Sequence, residues 1–235
     1  MKLYIAYIYY DLMNLYGENG NIKALKYAFN SQGISVIIDN ISINSNFNLD
    51  KYDVIYIGMG TENNQKFVLK DILKHKKEIK KYIEDGKTFI ATGNSIELFG
   101  KSIDEEKALN IFNYTSRKID NRLVGDVIVT ESDIKDKIIG FQNRSSIIEN
   151  NEYPLYEEDN NLGVKYKNFY GSYIIGPILA RNPELLKNIV SNVLKMKDDN
   201  FKFKSFDLKL NKQAYKNYLK NYYGEWKLFF FLKKL

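Results

Sequence analysis

Residues 3–38 read LYIAYIYYDLMNLYGENGNIKALKYAFNSQGISVII. Residues 3–9 form a nearly unbroken apolar run, the pattern of a strand covered on both faces. Residues 11–21 follow as a polar, glycine-containing turn. Ile22, Leu25, Ala28 and Phe29 then recur at helical spacing, so the stretch 22–31 predicts a helix. Gly33 stops it, and residues 34–38 predict a second apolar strand.

The pattern continues downstream. Residues 53–57 predict a third strand, followed by Gly58 and Gly60. Residues 66–84 predict one long helix with Val68, Ile72, Ile79 and Ile83 on its apolar face and Gly86 at its end. Residues 88–92 predict a fourth strand, with Gly93 immediately after it. Short apolar strands separated by helices imply an α/β fold, a mainly parallel sheet flanked by helices. Such sheets bind ligands beyond the carboxyl ends of their strands. The loops at Asp11, Gly58 and Gly93 all lie on that edge. The second half is richer in strands, expected at residues 123–129, 138–141, 162–166 and 169–174. A last helix is expected at 183–195, capped by Asn182 and opened by Pro183. These elements delimit a domain at residues 1–199.

Residues 200–235 form a C-terminal extension of different character. A helix is expected at 212–223, with Tyr215, Tyr218, Leu219 and Tyr222 on one face. Trp226, Phe229, Phe230 and Phe231 then crowd together. Packing on the body is the expected role. Contact with a partner or a second copy, and attachment to a membrane surface, are the alternatives. A basic amphipathic helix suits the membrane role, although Tyr inserts less readily than Leu.

With 235 residues the chain has enough length for a full core. Its 44% apolar and 27% charged content is that of an ordinary globular protein. The 14% of aromatic residues reads as compositional bias. There is no cysteine, hence no disulfide, no thiolate nucleophile and no cysteine-bound metal. The one histidine, His75, excludes a His-rich zinc site but leaves carboxylate-bound Mg²⁺ open. The opening MKLYIAYIYYD lacks a signal-peptide pattern, and no 18-residue apolar run occurs, so a cytoplasmic location is expected. Net charge is +6, and it is segregated. Residues 195–235 hold eleven lysines against four acidic residues, a surplus of seven, so the rest of the chain is near neutral. A nucleic-acid-binding domain would spread its charge more widely, and none is expected as a partner.

Five blocks stand in order along the chain. They are DLMNLYGENGNIKAL from Asp11, GMGTENNQ from Gly58, GNSIELFG from Gly93, FQNRSS from Phe141 and GSYIIGPILARNPEL from Gly171. Together they resemble the cobyric-acid-synthase-like class I glutamine amidotransferases. The corresponding family runs are DLLNLYGDRGN, GGGQDREQ, CGGYQLLG, FENHGG and GTYLHGPLLPKNPEL. The resemblance implies a flavodoxin-like fold over roughly residues 3–196. Within the family the blocks are most similar to the GatD glutaminase subunits, which pair with the Mur-ligase-like MurT to amidate the lipid II stem peptide.

Carried over residue by residue, the resemblance puts the family nucleophile at Gly93 and the family base at Ile175. Glycine has no side chain and isoleucine takes no proton, whereas amide hydrolysis needs an activated nucleophile and a base. Neighbouring Thr92, Asn94 and Ser95 offer polar groups but no histidine. His75 lies among Lys74, Lys76 and Lys77 and is expected to face solvent in mid-helix. Arg144 stands where the family has histidine, and it cannot act as a base. Gly58 and Gly60 remain in the loop that helps form the family oxyanion site, with Met59 in place of a glycine between them. Gln65 is retained, and Glu97 replaces a glutamine. The chain is therefore expected to lack glutaminase activity, to need no cofactor or metal, and to act as a binding or regulatory subunit beside a Mur-ligase-like partner or as a homodimer. Asp11, Gly58, Gly60, Gln65, Asn94, Ser95, Glu97, Asn143 and Arg144 are the candidate ligand-binding residues. Two alternatives remain. One is a different chemistry using Asp11, Asn14, Glu18, Glu97 and neighbouring polar groups, with Asp11 and Glu97 as paired carboxylates. The other is a self-associating structural protein.

Overall fold

The computed structural model describes residues 1–45 and 48–232, with side chains as far as Gly224. The aromatic crowding expected at Trp226, Phe229, Phe230 and Phe231 concerns side chains outside the described residues.

The first half alternates strand and helix: β1 (Lys2–Ile8), α1 (Asn19–Ser31), β2 (Ser35–Ile41), β3 (Val54–Ile57), α2 (Glu62–Ile72), α3 (Lys76–Glu84) and β4 (Thr88–Thr92). A 3₁₀ segment, Gly93–Phe99, follows β4 directly. Then come β5 (Ser102–Ile103), β6 (Glu106–Lys107), β7 (Thr115–Val129), β8 (Ile138–Glu149), β9 (Gly163–Tyr166) and β10 (Phe169–Ser172). The chain ends in α4 (Ile178–Arg181), α5 (Pro183–Lys197) and α6 (Lys209–Leu232).

The main sheet has the order β2-β1-β3-β4-β10-β9, parallel throughout except for the β9–β10 pair. Residues of β3 and β4 are buried at every position, as a sheet covered on both faces requires. From β1 the chain steps outward to β2, then returns to β3 and steps the other way to β4. Right-handed crossovers therefore put α1 on one face and α2 with α3 on the other. Helices α4 and α5 pack with α1. The strand order reverses between β1 and β3, and that is where ligands bind in open sheets. Phe89, Phe99 and Phe169 form an aromatic cluster in the core, with ring centroids 4.8–5.8 Å apart, so part of the aromatic content builds the interior.

A second sheet, β6-β5-β7-β8, is built around the β7–β8 hairpin. Ile175, just past β10, bridges to Phe141 of β8 and so ties this sheet to the main one.

Several expectations are corrected. The single helix expected at 66–84 is two helices joined by a 3₁₀ turn at Leu73–His75. Between Ile72 and Ile79 the inward positions of a continuous helix fall to His75 and Lys76, which have no place in an apolar core. His75 is half-buried in that turn rather than solvent-facing in mid-helix. Asn182 precedes α5, but its side chain makes no capping bond. Its amide instead accepts from Ile139 N–H and donates to the Ile139 carbonyl (both 2.8 Å), stitching α5 to β8. Strands expected at 123–129 and 138–141 are only the adjoining ends of β7 and β8. The helix expected at 212–223 runs from Lys209 to Leu232.

Candidate functional site

Gly93 follows β4 at φ +64°, a left-handed turn of the kind that presents a side chain at a strand-to-helix elbow. No space for that side chain remains. A Cβ built on Gly93 would lie 2.4 Å from Met59 Cβ and 2.8 Å from Met59 Sδ. Met59 is itself buried. Beside it, the Gly60 N–H donates to Asn94 Oδ1 (3.1 Å) and the Gly60 carbonyl accepts from Asn94 Nδ2 (3.0 Å). Both backbone polar groups of Gly60 are thus held by one side chain. Gly58 and Gly60 permit close approach: a Cβ on Gly58 would meet Met13 O at 2.5 Å, and one on Gly60 would meet Leu12 O at 2.8 Å.

The polar groups flanking the elbow are bonded within the chain. Ser95 is fully buried, and its Oγ donates to Thr92 O (2.8 Å). Thr92 Oγ1 donates to Glu18. Ile175 is buried, and its N–H donates to Phe141 O (2.8 Å).

Glu97 sits on the same 3₁₀ segment and is buried. Its Oε1 accepts from Ser146 Oγ and from Tyr173 OH (3.1 Å), and its Oε2 from Gln65 Nε2 (2.9 Å). Gln65 also donates to Asn94 O (2.6 Å). The Arg144 guanidinium lies 4.5 Å from the centre of the Tyr173 ring and bonds Gln142 Oε1 and Asn161 O. Burial pushes the Glu97 carboxyl up and the Arg144 guanidinium down, each by disfavouring its charged form. Donors of this chain already occupy the Glu97 carboxylate.

A second buried carboxylate lies beneath the switch between β1 and β3. Glu18 Oε2 accepts from Thr92 Oγ1 (2.6 Å), Asn21 Nδ2 (3.1 Å) and Tyr56 OH. Its Oε1 is buried without a hydrogen-bond partner. Burial, only partly offset by these bonds, raises the Glu18 carboxyl to about 7. The Tyr56 hydroxyl is raised well above its ordinary range by burial and by the Glu18 charge.

Other sequence candidates do not join these clusters. Asp11 is exposed and accepts from Ser42 Oγ (2.7 and 2.8 Å). It shares no partner with Glu97, so the two are not paired carboxylates. Asn14 accepts from Asn19 N–H (3.1 Å) at the surface. Asn143 bonds Tyr16 OH (2.7 Å) and accepts from Arg122 (2.8 Å). Arg122 in turn reaches Glu62. Tyr56, Asn21, Ser146 and Tyr173 were missed in the sequence. The usable signal was tyrosine in apolar strands, since a buried hydroxyl needs a partner. Among the described residues no group of three or more His, Asp or Glu side chains is placed to hold a metal.

The sequence matches the family model for the CobB/CobQ-like glutamine amidotransferase domain over residues 4–183. It is 33% identical, over 83% of this chain and 82% of the relative, to the GatD subunit of the glutamine-hydrolysing lipid II isoglutaminyl synthase of Streptococcus pneumoniae. Identity to the Staphylococcus aureus subunit of the same name is 29%, over 91% of this chain and 93% of that one. The fold is similar to a crystal structure of a glutamine amidotransferase from Thermotoga maritima. That match has a TM-score of 0.54 and 14% identity, over 91% of this chain and 92% of the other. A second glutamine amidotransferase structure gives a TM-score of 0.56 at 14% identity, over 80% and 98% of the two chains.

Proposed function

The chain belongs to the CobB/CobQ-like glutamine amidotransferase domain family, and we propose that within it the protein is a subunit without glutaminase chemistry. Its role is to bind or regulate a Mur-ligase-like partner that amidates a lipid-linked cell-wall precursor. The reading draws on the named relatives for the pathway and on the closed elbow for the loss of activity.

The observation that carries it is the exchange at one place. The position that the resemblance gives to the nucleophile is Gly93, and the volume its side chain would need holds Met59. Ile175 stands at the position of the base. Glu97 adds a buried carboxylate whose oxygens are taken by Gln65, Ser146 and Tyr173. A free amino acid entering there would have to displace them. Meanwhile the close approaches at Gly58 and Gly60 keep the scaffold of the elbow intact. In this reading the amide nitrogen comes from free ammonia, and ATP is used by the partner. The separate-enzyme alternative is not favoured, because Asp11, Asn14 and Glu97 do not converge and Glu18, though buried beside Thr92, has none of them as a partner.

Co-expression with a Mur-ligase-like subunit of the MurT type tests the proposal. The two proteins are expected to co-purify, and the complex to amidate its substrate with ammonium but not with glutamine. Amidation driven by glutamine alone would contradict it.

A further inference from the structure

Helix α6 carries Lys209, Lys212, Lys216 and Lys220 at intervals of three, four and four residues, and all four are exposed. At 100° per residue these positions fall within an arc of about 80° and extend along roughly 17 Å of the helix. Tyr215 and Tyr218 lie on the other side and face the body, whereas Tyr223 is exposed on the lysine side. Tyr215 OH donates to Lys137 O (2.8 Å), and Tyr218 OH donates to Gly140 O (3.3 Å). The Arg181 guanidinium lies 4.9 Å from the centre of the Tyr218 ring. Asp136 and Asp126 also face this tyrosine side, acting on Tyr215 and Tyr218 respectively. On the outer side only Lys212 has an acidic partner, Glu184 at 3.3 Å. Lys209, Lys216 and Lys220 form no ion pair among the described residues.

We propose that α6 is a membrane-surface element whose lysine row lies against anionic lipid headgroups. Charge complementarity carries the assignment. The surplus of positive charge in residues 195–235 exceeds that of the whole chain, and α6 turns a row of it away from the body. The sequence then runs Trp226-Lys-Leu-Phe-Phe-Phe-Leu232, followed by Lys233 and Lys234. Apolar and aromatic residues set beside lysines are the composition of a segment that lies in a bilayer interface. A duplex nucleic acid would use the lysines and gain nothing from the apolar end, and a single strand is tested below as the competing ligand. Tyr215 and Tyr218, poor as insertion groups, are already used in docking α6 to the body. The inference stands apart from the proposed function and needs no ligase partner.

The test is co-sedimentation of the full chain with phosphatidylcholine vesicles, with and without phosphatidylglycerol. Binding is expected only to the phosphatidylglycerol vesicles, with release at high salt. Each lysine contributes roughly a fivefold gain near an anionic surface. The triple variant Lys209→Gln, Lys216→Gln, Lys220→Gln is therefore expected to bind about a hundredfold more weakly, with an unchanged circular dichroism spectrum. Trp226 is the single tryptophan of the chain, so its emission is expected to shift to the blue on those vesicles. Failure to bind phosphatidylglycerol vesicles, equal binding to both vesicle types, or tighter binding to an RNA oligonucleotide than to the vesicles would overturn the proposal.

Discussion

Met59 and Gly93 act as one unit. Restoring a side chain at 93 drives it into Met59, and φ +64° disfavours any L-residue there. Gly93→Cys is expected to cost about 2 kcal/mol through overpacking and strain. The cost should be smaller in a Met59→Gly background, because the clash is gone. Urea denaturation of the four proteins checks this, and equal costs in both backgrounds would refute the packing account. Glu18 gives a second expectation at this scale. Its carboxyl is held at about 7 by burial, against 4.5 in the unfolded chain. The folded state therefore binds more protons, and stability from this group falls as pH rises from about 4.5 to about 7, then levels. The full penalty is on the order of 3 kcal/mol. Glu18→Gln does not ionise, so between pH 5 and pH 8.5 its stability should improve relative to the parent by about 2–3 kcal/mol. A difference that does not change with pH would exclude the buried, partly unsatisfied carboxylate. The motifs gave the positions of Gly93, Met59 and Ile175, since a short block keeps register. What Met59 fills was not legible, because that depends on a loop meeting a strand 34 residues away.

At the scale of elements, Asn182 holds α5 and β8 together through two bonds to the backbone of Ile139 and one to Ile178 O. Asn182→Ala leaves buried backbone groups unpaired and is expected to lower stability by about 2 kcal/mol. Thermal denaturation reads this directly, and an unchanged midpoint would show the bonds to be incidental. In the sequence Asn182 had the look of an ordinary helix cap, because Asn before Pro is a strong local signal. The tertiary contact took the side chain instead. Helix α1 and strands β1 to β4 were legible from apolar runs and glycine stops. The first half of β7, Thr-Ser-Arg-Lys-Ile-Asp-Asn-Arg, is polar and largely exposed, so no alternation marked it as a strand. The break between α2 and α3 was visible only as a missing apolar residue near 75.

For the molecule as a whole, the parallel core could be inferred from four apolar strands with helical crossovers after the first and the third, because those crossovers are local. The antiparallel β9–β10 pair and the separate β7–β8 hairpin were not inferred, since the two-residue link Lys167-Asn168 lacks the glycine that marks a tight turn and the first half of β7 is polar. The family was legible from five ordered blocks, and the proposed loss of its chemistry lies at the sheet edge where Met59 packs on Gly93. The claim at this scale is that amide hydrolysis has been lost while the scaffold is kept. Ammonia release from glutamine by the purified chain measures it most directly, with an active GatD subunit as the positive control. No release above the enzyme-free blank is expected. Glutamate and ammonia formed in equal amounts over several turnovers, and abolished by Ser95→Ala, would contradict it.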